Sequence, residues 1–527
     1  MSKLRYVWCG DYLILNLTLN AKAYPPLGKY GRMQEHYVRE HRHLLYSTML
    51  LGGRLDDHLH ETDAAAQKRM GQMIWSDRER LKRILSRYPT VRGEAMDSVW
   101  TILAQLPSFE PLKEDIKTNV LIIGGGLAGL LCAWRLKQAG VDVALVEADT
   151  ICSGITKNTT AKITSQHGLV YDALIRKMGA EKAKLYLQAN QNALQQYREL
   201  CRKIDCDFEE QDAFVYALDD RKKIDRELEA LQRLDFTATF AKDLPLPFPV
   251  AGAVCFPNQA QFHPLKFAAG IAKNLRIYEH TKVRELMPGK AVTNGGTVSA
   301  KKIIIATHFP MINKHGGYFI KLYQHRSYVL ALKNAPSFDG MYLDEDEKGL
   351  SFRHHQGMLL LGGGSHRSGK RGGNWHELER FARQYYPDAE IAARWATQDC
   401  MTLDHVPYIG QYAKNTPDLF VATGFNKWGM TSSMVAADIL TDLVQEKKNP
   451  YADAFDPSRS ILHPQLFLNA AESTINLLTP TVPRCPHMGC ALKYNKAEHT
   501  WDCPCHGSRF AEDGTLIDNP ATDDKRM

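Results

Sequence analysis

Four residues near the carboxyl end of the chain have the types and spacing of metal ligands. One residue separates Cys485 from His487, fifteen residues lie between His487 and Cys503, and two separate Cys503 from His506. Each pair offers a thiolate and an imidazole, as a [2Fe-2S] cluster requires when one iron takes two cysteines and the other takes two histidines. Neutral imidazoles in place of two thiolates make such a cluster accept an electron more readily. A zinc site is the alternative, although zinc motifs usually pair cysteine with cysteine and histidine with histidine.

These ligand candidates lie in two short stretches, CPHMGC (485–490) and CPCHGS (503–508). Together the stretches closely resemble the respiratory type of Rieske domain. The resemblance implies that the four residues bind iron and that Cys490 and Cys505, each beside a ligand in its own loop, form a disulfide. The chain has 11 cysteines in 527 residues, too few for a disulfide scaffold.

A glycine-rich turn further upstream stands between a predicted strand and a predicted helix. Residues 120–123 are composed like a buried parallel strand, 127–138 have helical periodicity, and 141–146 form the next predicted strand. In such a β-α-β unit the glycines allow close approach of a pyrophosphate, the helix N-terminus stabilises its charge, and an acid after the second strand holds a ribose hydroxyl. The residues that would bind a dinucleotide here are Gly124, Gly126, Gly129 and Glu147.

The electron chemistry of the carboxyl-terminal motif selects between the possible dinucleotides. Nicotinamides exchange electrons as hydride pairs, a [2Fe-2S] cluster takes one electron at a time, and a flavin does both. FAD is therefore the predicted cofactor. A second glycine motif for a nicotinamide nucleotide is missing, since LGGGSHRSG (361–369) has Arg367 where its third glycine would fall. This argues against a mechanism of the ferredoxin-reductase type.

From about residue 96 onwards the chain resembles bacterial FAD-dependent oxidoreductases of the glycine/D-amino-acid oxidase (DAO) class with a C-terminal Rieske domain. The resemblance rests on IIGGGLAG (122–129), NTTAKITSQHGLVYD (158–172), KKIIIATHFP (301–310), DHVPYIG (404–410) and ATGFNKWGMTSSM (422–434). It implies that Val283 contacts the adenine through its backbone and that Ala306 and Thr307 border the nucleotide. It also implies a group of residues lining the flavin, namely Gly424, Gly429, Met430 and Thr431. The helix that begins there would present its N-terminus to negative charge on the reduced flavin ring.

The same resemblance implies removal of a hydride from a carbon next to an amine, followed by reoxidation of the flavin. The protein then has to orient the C–H bond against the flavin and keep the amine neutral. Arg326 is expected to clamp a substrate carboxylate with two hydrogen bonds. The flavin motif fixes the location of Lys427 and Trp428, which makes them the best-placed pair. The candidates facing the pocket are His325, Arg326, Tyr328, His366, Arg367, Lys427 and Trp428, with a structural or surface role as the alternative for each.

The basic charge of the chain is concentrated at its amino end. Residues 1–95 contain 16 Lys and Arg against 10 Asp and Glu, in a chain of net charge +7. The segment is predicted to be small and all-α. Helical spacing extends over 33–51 and ends at Gly52 and Gly53, and a charged helical run extends over 61–87 and ends before Pro89.

Three stretches of this segment resemble TnpV-type proteins of mobile elements as far as about residue 73. They are GDYLILNLTLN (10–20), GKYGRMQEHYVREHR (28–42) and LLGGRLDDHLHETD (50–63). Two interpretations stay open: a module related to nucleic acid, or a gene fusion whose functional part begins near residue 96. The fusion is favoured, because redox chemistry calls for no such module.

The order of these elements predicts a Rossmann-like α/β FAD-binding domain interleaved with an α+β substrate domain, followed by a small all-β Rieske domain. The predicted parts are a helical segment at 1–95, FAD-binding parts at 96–165, 251–310 and 401–445, substrate-domain parts at 166–250 and 311–400, a linker at 446–460 and the Rieske domain at 461–527. No stretch is long and apolar enough for a membrane helix, and the amino end lacks a signal-peptide pattern, so a cytoplasmic location is expected.

The sequence therefore predicts an FAD-dependent oxidoreductase acting on CH-NH or CH-NH2 donors. It would oxidise a small amine or amino acid and pass electrons singly from FAD to the [2Fe-2S] cluster and on to an unidentified acceptor. The alternative is an electron-transfer module whose flavin is reduced by a protein partner. A Rieske oxygenase would need a mononuclear iron held by two histidines and a carboxylate, and the sequence contains no convincing set.

Overall fold

The computed structural model describes residues 6–9, 12–15, 29–51, 54–74, 97–312, 315–480 and 483–525. The chain forms two compact units, Met1–Arg92 and Gly93–Met527. Within the described ranges, no helix combines the length and the apolar character needed to cross a bilayer.

The amino-terminal unit contains a strand pair and three helices. They are β1 (Tyr6–Cys9), antiparallel to β2 (Tyr12–Leu15), and α1 (Lys29–His41), α2 (His43–Leu51) and α3 (Leu55–Ile74). Its small core is formed by Val38, Leu55 and Leu59. The sequence predicted an all-α segment, and this strand pair is a departure from that prediction. YVWC and YLIL are rich in the aromatic and branched residues that favour strands. Gly10-Asp11, which separates them in sequence, is a residue pair typical of hairpin turns. The charged helix predicted over 61–87 is present as far as Ile74, and the rest of it lies outside the described residues.

The first half of the second unit contains both helices and strands. In chain order they are α4 (Val99–Leu103), β3 (Ile116–Ile123), α5 (Leu127–Gln138), β4 (Val143–Val146), β5 (Lys162–Ile163), α6 (Tyr171–Cys201), β6 (Glu209–Ala217), α7 (Arg221–Arg233), β7 (Thr239–Ala241), β8 (Gly252–Gln261), α8 (Pro264–Ala272), β9 (Ile277–Tyr278), β10 (Val283–Met287), β11 (Lys290–Thr293) and β12 (Thr297–Ile305).

The second half of this unit is richer in strands. Its elements are α9 (Tyr318–Lys321), β13 (Leu322–Lys333), β14 (Met341–Asp344), β15 (Ser351–His355), β16 (Met358–Arg367), α10 (Asn374–Tyr385), β17 (Glu390–Thr402), β18 (Tyr408–Gln411), β19 (Leu419–Thr423), α11 (Gly429–Val444), α12 (Ala452–Phe455), α13 (Pro464–Leu478), β20 (Lys493–Asn495), β21 (Thr500–Asp502), β22 (Arg509–Ala511) and β23 (Leu516–Asp518).

The first sheet of this unit has a parallel core in the order β9, β4, β3, β12, β19. Strands β10 and β11 form an antiparallel meander with β12, and β18 pairs antiparallel with β19. Parallel strands are covered on both faces, which is why β4 is apolar and buried at all four positions. Helix α5 packs on α11, with its N-terminus at the carboxyl edge of the sheet. That edge is where open α/β sheets bind ligands.

The second sheet runs in the order β17, β13, β16, β15, β14, β6, β8, β5, with β7 also pairing with β8. Strand β13 pairs antiparallel with both β16 and β17. Side chains from these three neighbouring strands therefore meet on one wall.

The carboxyl-terminal domain is a four-stranded antiparallel sheet in the order β20, β21, β22, β23. Its core includes four cysteines together with Leu492 and Phe510. The segment expected to be a linker is held against the body, since Phe455 is fully buried and Arg459 Nε donates to Asp404 Oδ2 at 2.7 Å.

Trp100 anchors the segment that leads into the second unit. Its ring is fully buried, and its Nε1 donates to the Thr159 carbonyl oxygen at 2.7 Å. We expect Trp100→Ala to lower the free energy of unfolding of this unit by about 3–5 kcal/mol, because it leaves a large cavity. Urea denaturation measures the loss. Ile102→Ala in the same helix is the control, because Ile102 is 48% exposed; an equal loss in both variants would contradict the anchoring role.

Candidate cofactor sites

A cavity of about 1190 Å³ lies at the carboxyl ends of β3, β4, β12 and β19. It is larger than the roughly 300–1,000 Å³ of typical sites for drug-sized ligands, so it has room for a dinucleotide. Its opposite wall comes from β13 to β17 of the second sheet, and the carboxyl-terminal domain contributes Asp518 and Asn519.

The three glycines of the turn between β3 and α5 have different roles. Gly124 has a φ of 110°, and a Cβ placed on it would lie 2.6 Å from the Ala306 carbonyl oxygen. Gly126 faces the cavity, where the one atom of the described residues near an added Cβ would be Thr156 Oγ1, at 3.6 Å. A Cβ on Gly129 would lie 1.9 Å from the Gly124 carbonyl oxygen. Gly129 thus allows the helix to pack on the turn and is not part of the cavity lining.

Glu147 lines the cavity at the end of β4. Its Oε2 accepts a hydrogen bond from the Gly125 amide at 2.5 Å, and its Oε1 accepts one from the Asp149 amide at 3.0 Å. Burial raises the pKa of this carboxyl group. The turn thus orients the acid beside the place that a ribose would occupy.

Thr156 is a cavity residue that the sequence interpretation missed. Its hydroxyl oxygen accepts a hydrogen bond at 3.1 Å from the Leu127 amide, at the N-terminus of α5. It lies 29 positions after Leu127 in the chain, so no local pattern links the two.

Most of the residues implied to border the cofactor lie on the cavity wall. They are Val283, Ala306, Thr307, Gly424, Gly429 and Met430. Thr431 is outside the lining, since its hydroxyl contacts His167 Nε2 at 3.0 Å and donates to the Thr164 carbonyl oxygen at 3.2 Å. Helix α11 begins at Gly429, so its first turn faces the cavity as expected.

Lys427 and Trp428 both line the cavity. Lys427 Nζ donates to Ser365 Oγ at 3.1 Å, and Ser365 Oγ lies 2.9 Å from Ser327 Oγ. The Trp428 ring stacks on His167, with ring centroids 4.8 Å apart. The wall therefore combines a cation, two hydroxyls and a fixed aromatic surface.

Arg326 lines the cavity, but its guanidinium is bound by a carboxylate of the carboxyl-terminal domain. Arg326 Nε donates to Glu498 Oε1 at 3.1 Å, and Arg326 Nη2 donates to Glu498 Oε2. Tyr328 donates from its hydroxyl to the same carboxylate at 3.0 Å. The carboxylate clamp predicted for Arg326 thus has an internal partner, which lies 172 positions away in the chain.

The remaining predicted pocket residues are not part of the cavity lining. His325 faces Glu347, with Nδ1 and Oε2 3.7 Å apart, and burial lowers its pKa to about 3. The His366 ring stacks on Tyr328, with centroids 5.7 Å apart. Arg367 Nε donates to the Pro504 carbonyl oxygen at 3.1 Å, so this arginine holds the carboxyl-terminal domain.

The two stretches that carry the predicted iron ligands form loops with the same hydrogen-bond pattern. The Cys485 carbonyl accepts from the Gly489 amide and the Cys503 carbonyl from the Gly507 amide, both at 2.9 Å. Both glycines have positive φ, 76° and 85°, which a residue with a Cβ rarely adopts. The repeated loop thus presents one cysteine and one histidine twice.

The four predicted ligands come together between these loops. The rings of His487 and His506 have centroids 5.0 Å apart, and burial lowers their pKa values to about 4 and about 3. Both imidazoles are therefore neutral, the form that binds metal. The thiols of Cys485 and Cys503 share a hydrogen bond, which lowers the pKa of Cys485 to about 7.

His506 also has the hydrogen-bond pattern of a metal ligand. Its ring hydrogen-bonds to the Phe319 backbone, while its buried Nδ1 has no hydrogen-bond partner among the described residues. A ligating histidine usually donates its other ring N–H in this way. The structure pairs the side chains of Cys490 and Cys505 with each other, beside Cys503. The donor set therefore fits a cluster held by two cysteines and two histidines.

Family models match the regions of the chain that contain the two sites. The model of the FAD dependent oxidoreductase family (DAO) matches residues 119–443. The chain belongs to this family. The Rieske [2Fe-2S] domain model matches residues 476–526, and that of the transposon-encoded protein TnpV matches residues 5–83, further than the expected limit near residue 73. The predicted fold class and the predicted cofactors, FAD and a [2Fe-2S] cluster, are thereby confirmed.

Individual relatives span most of this DAO-family chain. A Bacillus subtilis (strain 168) protein named as a Rieske 2Fe-2S iron-sulfur protein, YhfW, is 36% identical over 491 residues, covering 81% of this chain and 96% of its own length. Gamma-glutamylputrescine oxidoreductase of Escherichia coli (strain K12) is 24% identical, covering 67% of this chain and 89% of its own. Glycine oxidase from Geobacillus kaustophilus shares the fold, with a TM-score of 0.55 at 22% identity, covering 66% of this chain and 99% of its own.

Proposed function

We propose that this DAO-family oxidoreductase oxidises a small amine or amino acid in the cavity and delivers the electrons to its Rieske domain. One observation carries the proposal: the dinucleotide turn, the wall of the second sheet and residues of the Rieske domain line the same cavity. Bound FAD would accept an electron pair and release the electrons one at a time. Two similar proteins are named for gamma-glutamylputrescine and for glycine, which supports an amine or amino acid as the donor.

The wall of the second sheet supplies polar groups for such a substrate. Lys427 is the cation we assign to a substrate carboxylate. Among the described residues its Nζ has one hydrogen-bond partner, the Ser365 hydroxyl, whereas Arg326 is bound by Glu498. Thr397 lines the cavity, and its buried hydroxyl has no hydrogen-bond partner among the described residues. A substrate amine or carboxylate would satisfy that hydroxyl.

Asp399 and Trp428 complete the proposed substrate surface. Asp399 lines the cavity near Lys427, and burial raises its pKa to about 6. A carboxylate with such a pKa can take the proton of a substrate ammonium group near neutral pH. Trp428, held by its stack on His167, excludes water from the reacting carbon.

Anaerobic addition of amines and amino acids to the purified protein tests the proposal. Bleaching of the flavin absorbance, followed by the EPR signal of a reduced Rieske cluster, is the expected result. If no amine or amino acid bleaches the flavin while a reduced protein donor does, the protein is instead an electron-transfer module.

Lys427→Met tests the proposed carboxylate contact. We expect kcat/KM for amino acids to fall by about 10- to 100-fold, since hydrogen bonds to charged groups contribute about 1.5–3 kcal/mol. Amines without a carboxylate should change little. Lys414→Met, at an exposed position, is the matched control. Equal losses with amino acids and with amines would argue against this role.

We propose that Cys490 and Cys505 form a disulfide in the working protein and brace the two cluster loops.

We also propose that residues 1–95 are a fusion without a catalytic role. The Bacillus relative supports this, since 96% of its length matches only 81% of this chain. Specific DNA binding by residues 1–95 would overturn the fusion hypothesis.

A further inference from the structure

Gln324 of β13 lies between the cavity and a cluster ligand, with only 1% of its surface exposed. Its Nε2 donates to the His506 carbonyl oxygen at 2.8 Å and to the Asn519 carbonyl oxygen at 3.2 Å. Its Oε1 lies 3.2 Å from His308 Nε2. His308 lines the cavity. One buried amide therefore contacts the cavity wall and the backbone of a predicted iron ligand.

The surrounding groups fix the orientation of this amide. The two carbonyl oxygens require the NH2 group on their side, so the amide oxygen must face His308. His308 must then carry its proton on Nε2. Burial lowers the pKa of His308, which keeps the ring neutral with a single N–H to donate. Every donor and acceptor of Gln324 thus has a defined role.

A second contact holds the same two regions together. Asn519 Nδ2 donates to the carbonyl oxygens of Thr307 and Phe309, at 2.6 and 3.1 Å. The cluster loop also approaches Gln324 closely, since a Cβ on Gly507 would lie 2.7 Å from Gln324 Cβ. The strand end that borders the cavity and the loop that carries His506 therefore have a fixed spacing.

Gln398 of β17 offers a matched comparison in the same loop. It is also 1% exposed, and its Nε2 donates to the Gly507 carbonyl oxygen at 2.8 Å. Its Oε1 accepts from Ser368 Oγ at 2.9 Å, and Gln398 is not part of the cavity lining. Gln398 anchors the loop as Gln324 does, but does not contact the cavity wall residue His308.

We propose that Gln324 is a positioning residue that couples the flavin cavity to the Rieske cluster through His308 and His506. The inference rests on the proposed route of electrons from flavin to cluster. In that step the reduced flavin loses one electron and the diferric cluster gains it, while no bond between heavy atoms forms or breaks. Gln324 sets the spacing of the two sites and supplies the hydrogen-bonded path between His308 and the His506 backbone.

The test measures this step without an amine substrate. Bound FAD in the purified holoprotein is reduced by light with EDTA as the electron donor, and the EPR signal of the reduced cluster is followed in time. Gln324→Met and Gln398→Met keep the side-chain volume and lose the amide. We expect about tenfold slower transfer in Gln324→Met, equivalent to about 1.4 kcal/mol, and a change of less than about twofold in Gln398→Met.

His308→Asn supplies a second, independent variant. His308 has a φ of 66°, a conformation that asparagine tolerates. The change removes the imidazole and replaces no residue of the cluster loop. It should slow transfer as much as Gln324→Met does, and the double variant should be no slower than either one. If Gln324→Met fails to fold, the rates of electron transfer in His308→Asn and Gln398→Met are compared instead, and slower transfer in His308→Asn alone supports the inference.

Three outcomes would overturn the inference. They are equal slowing by Gln398→Met, an unchanged rate in His308→Asn, and a shift of the cluster reduction potential large enough to account for the slower rate. Each wild-type sample is checked first, because absence of transfer in the wild type would refute the proposed electron route itself. Cluster content and the EPR line shape should be the same in all variants.

Discussion

Glu498→Gln is expected to lower the free energy of unfolding by about 3–5 kcal/mol, the usual cost of breaking a buried ion pair. Glu498 binds both Arg326 and Arg509, and the side chains of all three are between 4% and 6% exposed. Arg509 keeps Asp502 and Asp518 as partners. Arg326 would be left as a buried cation at the contact between the second sheet and the Rieske domain, with no carboxylate of the described residues within ion-pair distance.

Urea denaturation followed by the visible absorbance of the cluster measures this loss. Glu512→Gln is the matched control, because Glu512 belongs to the same domain but its side chain is 61% exposed. We expect a change within about 0.5 kcal/mol for the control. Similar losses in the two variants would show that the network does not stabilise the domain contact.

The same network predicts a dependence on pH. Burial opposes ionisation of Glu498, but Arg326 and Arg509 outweigh it and lower the pKa of this carboxyl group from 4.5 to about 2. A lowered pKa in the folded state stabilises the protein above the unfolded value, and this contribution is lost as the pH falls from about 4.5 towards 2. It amounts to about 3 kcal/mol. The wild type should therefore lose more stability over that range than Glu498→Gln does.

Cys503→Ser is expected to abolish the cluster while FAD remains bound. The substitution removes one of the two thiolates that the cluster needs, whereas Cys503 is not part of the cavity lining. Iron and acid-labile sulfide analysis, the Rieske EPR signal and the flavin absorbance report the two cofactors separately. A full cluster signal in Cys503→Ser would contradict the ligand assignment.

The neighbouring cysteine pair provides the control. The double variant Cys490→Ala with Cys505→Ala should retain the cluster. The proposed cross-link closes a loop with a sequence separation of 15, so its loss should lower the free energy of unfolding by about 3 kcal/mol. Thermal loss of the visible cluster absorbance would then occur at lower temperature. Loss of the cluster at all temperatures in this double variant would mean that these cysteines do more than brace the loops.

Short-range patterns could be predicted because each site segment is local in sequence. The turn around Gly124 and the helix 127–138 follow from glycine spacing and periodicity, and the helix has those bounds in the structure. Each cluster loop carries its cysteine and histidine within four residues. The strand pair at Tyr6–Cys9 and Tyr12–Leu15 was not predicted, because its strands are only four residues long and the helical spacing further along this segment is the stronger pattern.

The sequence by itself determined which chemistry the chain carries, and only the tertiary structure decided which side chains are available for it. Spacing predicted Cys485, His487, Cys503 and His506 as ligands, and the folded loops place the two histidine rings and the two thiols close together. The sequence predicted that Arg326 binds a substrate carboxylate, but in the fold its guanidinium binds Glu498. No local sequence pattern indicated the contact of Gln324 with the His506 backbone. The physical reason is that ion pairs and hydrogen bonds across more than 150 positions depend on strand order and domain contact, which residue spacing does not encode.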